Sequence, residues 1–159
     1  MRILFFLSVL LFTLAACSNN SDPKSKSWVF DQENVLTYDQ EKLLNEIITN
    51  FEKETTNEIA IVTTSDIGEH NKMVFYAVDF GNRYGVGKQE KDNGLVIVFS
   101  KTLRGTFIST GLSTEKILTD VICQNIVDNH MVPEFKKGNY FTGIKKGLEE
   151  CILTWKENE

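Results

Sequence analysis

The segment GLVIVFS, residues 94–100, constrains the fold more than any other part of the chain. Five apolar residues in a row, Leu95 to Phe99, lie between a glycine and a serine. Successive side chains of a strand point to opposite faces. A strand without polar alternation is therefore buried on both sides, which makes it central and calls for a packed layer on each face.

The rest of the chain supplies those layers. Trp28–Phe30 reads as a short edge strand, followed by Asp31 and the polar turn Gln32-Glu33-Asn34. Thr37 with Gln40 three residues on forms a capping box. Leu43, Leu44, Ile47, Ile48 and Phe51 carry the helix that follows it. EIAIVTT (58–64) is short and β-branched, hence a strand. Met73, Tyr76, Ala77, Phe80 and Tyr84 mark a second helix, which stops at the glycines of YGVGK. After the central strand, only Lys101-Thr102-Leu103 precede the strand Arg104–Thr110, so that pair is antiparallel. A third helix is expected from Ser113 or Thr114, with Ile117, Leu118, Val121, Ile122 and Ile126 inward and Pro133 ending it. The last helix begins at Asn139 or Tyr140. Helices alternating with strands predict an α/β fold, a three-layer α/β/α sandwich with a mixed sheet of about four strands.

The first 16 residues read as a leader. Arg2 precedes the apolar stretch Ile3–Leu14, which is too short to span a bilayer. Leu14-Ala15-Ala16-Cys17 resembles a bacterial lipobox, in which the cysteine is lipidated and becomes the first residue. Cleavage at an ordinary secretory site is the other reading. Residues 17–27 then form the lipidated cysteine and a polar tether, and the domain spans 28–156. The ten residues 18–27, at about 3.3 Å each, hold it within about 33 Å of a membrane. The expected location is the bacterial cell envelope, on the non-cytoplasmic face.

Without Arg2 the chain carries 16 basic and 22 acidic residues. That balance argues against nucleic acid, which needs a basic surface. Cys123 and Cys151 fall on apolar stripes and are expected to be buried thiols, although export would permit a disulfide. No Cys or His pattern with metal spacing occurs. Trp28 and Trp155 read as packing residues, and Lys136, Lys137, Lys145 and Lys146 as a solvated face.

Chain direction predicts a site. Asp92 stands at the N-terminal mouth of the central strand. The antiparallel neighbour returns Thr110, and after it Glu115 and Asp120, to the same edge. Amides at a helix start there would favour an anion. Carboxylates with backbone carbonyls suit calcium, and a bound metal would activate water. A solvated loop with capping acids accounts for the same residues.

WVFDQENVLT, EIAIVTT, YGVGKQEKDNGLVIVFS, ILTD and MVPEFKKGNYFTGIKKGLE, in this order, resemble the TPM domain family over about residues 28–153. The specific parts are the glycine-lysine to Asp-Asn-Gly block and Pro133, Phe135, Gly138 and Tyr140. The family includes a thylakoid-lumen acid phosphatase and a receptor accessory subunit. The resemblance implies an α/β/α sandwich and an acidic pocket that holds calcium in some members. Asp31, Asp92 and Asp120 are the matching metal ligands, with Lys88, Asn93 and Glu115 beside them. In the phosphatase reading Asp31, Asp92, Asp120 and Lys88 are also the catalytic candidates. One departure is clear: STGLSTEK has a single glycine, Gly111, where the family usually shows a glycine-tyrosine-glycine turn. No self-sufficient nucleophile motif occurs. Two functions follow: a membrane-tethered accessory module that meets a membrane protein complex, or a metal-assisted phosphatase.

Overall fold

The computed structural model describes residues 27–159. The leader, Cys17 and all but the last residue of the tether lie outside the described residues. Among the described residues no helix is long and apolar enough to cross a membrane.

Four strands form one sheet in the order β1-β2-β3-β4: β1 is Val29–Asp31, β2 Glu58–Thr63, β3 Gly94–Ser100 and β4 Gly105–Thr110. The first three are parallel and β4 is antiparallel to β3. All seven residues of β3 are buried, as its uninterrupted apolar run requires. Each aliphatic side chain buried there contributes about 1.5–3 kcal/mol.

Helix α1 is Tyr38–Thr55, α2 Met73–Tyr84 and α5 Tyr140–Asn158. The capping box at the start of α1 forms on both sides: Gln40 N–H donates to Thr37 Oγ1, and Thr37 N–H to Gln40 Oε1. Register assigns the layers. Phe30, Val62 and Val98 share one face, and Phe30 meets Phe80 of α2 edge-on at 5.2 Å. Ile61, Ile97 and Phe99 share the other, where Phe99 packs on Tyr140 of α5 at 5.3 Å and α1 joins α5 through Phe51 and Trp155. The expected three-layer sandwich is therefore present. Both crossovers step the same way along the sheet but over opposite faces, so they differ in hand. One of them departs from the usual right-handed rule.

The third helix departs from expectation. Thr114–Lys116 is a single 3₁₀ turn, and α3 spans Asp120–Ile126, capped by the Thr119 hydroxyl. Asp120 is thus its first residue. Val121, expected inside, is 79% exposed, while Leu118, before the helix, is buried. Pro133 does not end a helix. A π-helical turn, Val127–Met131, leads into the short α4, Val132–Phe135, and Pro133 sits in the first turn of α4, where its missing N–H costs little.

Glu134 of α4 ties α5 down. Lys146 Nζ lies 2.7 Å from its carboxylate and Asn139 Nδ2 3.1 Å. These two hydrogen bonds, Lys146 first, hold the carboxyl down at about 2. A carboxyl whose folded value lies below its unfolded one, about 4.3, stabilises the fold above that unfolded value and ceases to as pH falls toward 2. Glu134→Gln is expected to lose stability at pH 7 by urea unfolding, with the gap to the parent closing between about pH 4.3 and pH 2. Of the four lysines in this region, Lys137 and Lys146 pair with Glu134, and Lys145 pairs with Glu149.

Candidate functional site

The N-terminal edge of β3 is built by its neighbours. Gly111 N–H donates to the Gly94 carbonyl at 2.9 Å, and Ser113 N–H to the Asp92 carbonyl at 3.2 Å. Chain direction thus brings residues 111–115 to the lip beside Asp92. Asp92 has left-handed backbone (φ 49°), and its N–H reaches the Lys88 carbonyl. Lys88, Asp92 and Glu115 are exposed there.

Asn93 is not a rim group. It is 6% exposed, and its side-chain oxygen accepts from Lys88 N–H at 2.9 Å. Its amide donates to the Thr56 carbonyl and to Asn57 Oδ1, each at 2.9 Å. Glu58 does similar work, accepting from Gly87 N–H. The block from Gly87 to Asn93 is therefore closed by Asn93 within it and by Glu58, Thr56 and Asn57 beside it.

Asp31 lies elsewhere. It is the last residue of β1, opposite Thr63, which in turn is opposite Phe99 near the C-terminal end of β3. Five residues of strand, about 17 Å, separate that level from Gly94, and Asp92 lies beyond Gly94. A parallel β1 sends its C-terminus to the pole opposite Asp92. The carboxylate of Asp31 is occupied there: it accepts from Val35 N–H at 3.1 Å, Leu36 N–H at 2.8 Å and the Thr63 hydroxyl. Burial, and then the charge of Asp31, raise the carboxyl of Glu41.

Asp120 is exposed at the start of α3, separated from the lip by the 3₁₀ turn and buried Leu118. Burial pushes the Cys123 thiol up to about 12, with Asp120 and Glu115 adding to it. Cys123 and Cys151 are free and buried. The predicted set Asp31–Asp92–Asp120 is thus not assembled. Among the described residues no three His, Cys, Asp or Glu side chains cluster in a way that could hold a metal ion, so the residues present do not fit a three-carboxylate calcium site.

The sequence reading missed a small cavity of about 260 Å³ lined by Asn57, Lys91, Asn93, Ser113 and Thr114. Lys91 Nζ bonds Thr56 Oγ1 beside it. Thr114 is 1% exposed, and among the described residues its hydroxyl has no hydrogen-bond partner. A buried, unpaired hydroxyl costs about 1–3 kcal/mol. Thr114→Val, which keeps the shape, is expected to raise stability by about 1 kcal/mol in chemical denaturation.

A parallel three-strand core with one antiparallel edge strand, sandwiched by helices, thus carries exposed Lys88 and Asp92 at the N-terminal edge of β3. The sequence profile of the TPM domain matches residues 29–153, and the chain belongs to that family. Solved structures agree. The N-terminal domain of a Porphyromonas gingivalis protein is 26% identical over 83% of each chain, with a TM-score of 0.75. The N-terminal domain of a Corynebacterium glutamicum protein shares the fold at 13% identity, over 85% of this chain and 84% of that one, with a TM-score of 0.64. So does BA42 from Bizionia argentinensis at 24% identity, over 79% and 85%, with a TM-score of 0.61. No curated protein matches.

Proposed function

We propose that this TPM domain is a non-catalytic binding module of the bacterial cell envelope. A lipid on Cys17 would hold it close to a membrane on the non-cytoplasmic side, where it meets a membrane protein complex. One observation supports the non-catalytic reading: two of the six side chains expected to meet a ligand, Asn93 and Asp31, are committed to the fold. Asn93 closes its loop, and Asp31 holds Val35, Leu36 and Thr63 at the far pole. The rim charges that remain are exposed, where water weakens each of them. On this reading the module works without a resident calcium ion.

The competing reading is a metal-assisted phosphatase. The juxtaposition of Asp92, Lys88 and Lys91 on one loop favours it, with a lysine steadying phosphate charge. The full chain in detergent, given an aryl phosphate with and without calcium, distinguishes the two. The expected release equals that of the buffer, and crosslinking in membranes recovers a defined partner that Cys17→Ala loses. Phosphate release that disappears in Asp92→Ala would overturn the accessory role.

A further inference from the structure

β4 is an open edge of the sheet, and its register fixes which backbone groups face outward. Leu95 stands opposite Thr110, and Gly111 N–H bonds the Gly94 carbonyl. Bonded pairs recur at every second residue of an antiparallel ladder, so Ser109, Phe107 and Gly105 are the β4 residues bonded to β3. The N–H and C=O groups of Thr106, Ile108 and Thr110 therefore point away from the sheet. Among the described residues the ladder and its flanking bonds offer those three N–H groups no acceptor.

A groove follows this edge. Phe107 and Ile108 point to opposite faces, yet both line one cavity of about 670 Å³. Val74 of α2 closes it on one side, and Val121 and Val127 on the other. The groove thus straddles the edge, along which Thr106, Phe107, Ser109 and Thr110 are partly exposed while Ile108 at the centre is 3% exposed. An adjoining cavity of about 730 Å³ continues past Thr106 and Gly105. Its charge is polarised. Asp120 lines the end near the start of α3, whereas Lys101, Arg104 and Lys136 line the other, with Asp128 between.

We infer that β4 pairs with β4 of a second copy of this chain, antiparallel, about a twofold axis through Ile108. That register sets Thr106 against the partner's Thr110, and Thr110 against the partner's Thr106. Each bonded pair exchanges both of its bonds, so every outward group of the three residues is satisfied. Threonine pairs across strands are themselves favourable. The polarity of the groove selects this occupant. A twofold carries the Arg104 end of each copy to the Asp120 end of the other, and an isologous contact supplies that complementarity by symmetry. A parallel neighbour would set like charge against like.

The full chain in detergent tests this. Copies carrying Thr106→Cys, mixed with copies carrying Thr110→Cys, are expected to form a crossed disulfide dimer on mild oxidation. Either variant alone should not, because like positions would lie about 13 Å apart. Thr110→Pro removes an N–H that the monomer does not use, and should abolish the concentration-dependent dimer in sedimentation while the circular dichroism stays unchanged. Arg104→Glu should weaken the dimer at least tenfold, and adding Asp120→Lys should restore it. A folded chain that stays monomeric at every concentration would overturn the pairing. So would equal crosslinking of like positions, or capture of a foreign strand in place of the second copy.

Discussion

Gly94→Ala is expected to lower the unfolding free energy by about 3 kcal/mol, measured by urea denaturation at neutral pH. A Cβ at this position would lie 2.3 Å from the Val86 carbonyl oxygen and 2.9 Å from Gly87 N. Both neighbours are backbone, so no rotamer change relieves the clash. The Gly94 backbone itself is one that alanine adopts without strain, so the loss is steric. Gly68 gives the contrast. It has a left-handed φ of 61° with nothing near its missing Cβ, so Gly68→Ala should cost only about 1–2 kcal/mol of conformational strain. A smaller loss at 94 than at 68 would mean that the two chain segments do not approach as described. The damage would reach the rim. Parting Val86 from Gly94 strains the bonds from Gly87 N–H to Glu58 and from Lys88 N–H to Asn93, which set where Lys88 and Asp92 stand.

The sandwich was legible because its signals are local and redundant. A five-residue apolar run admits one environment, and Thr37 with Gln40 admits one cap. The start of the third helix was not, because Ser113, Thr114 and Thr119 are all eligible caps and the chain uses the last. The side-chain oxygen of Thr119 finds the N–H of Ile122, while Thr114 turns inward. Half of the rim was legible too. The short β3–β4 connection dictates an antiparallel pair, and that alone brings residues 111–115 beside Asp92. Asp31 was misplaced for a non-local reason. Whether β1 runs parallel or antiparallel to β2 depends on how α1 packs, and no window around Asp31 records it. What its window did contain was an aspartate followed by free amides four and five residues on. Asp and Asn side chains commonly bond nearby backbone, and that local role proved to be the one the carboxylate fills.

The role of Asp31 makes the second large prediction. Asp31→Ala would leave the amides of Val35 and Leu36 without their acceptor and the Thr63 hydroxyl without its partner. Hydrogen bonds to a charged group are worth about 1.5–3 kcal/mol each, and orphaned donors add their own penalty. Partial exposure of the segment lets water recover part of this, so a total of about 2–4 kcal/mol is expected. Asp31→Asn should fall between, since one oxygen survives while the amide presents a donor to a donor. The N-terminal approach to α1 would loosen, with faster hydrogen exchange at Val35 and Leu36. The comparison that decides between a structural and a ligand role is calcium. If Asp31 serves the fold, the loss is the same with calcium or with chelator, because the carboxylate is satisfied by protein donors at the pole opposite Asp92. A loss confined to calcium-containing buffer would instead mean that Asp31 is a metal ligand and that the amides of Val35 and Leu36 are secondary to it.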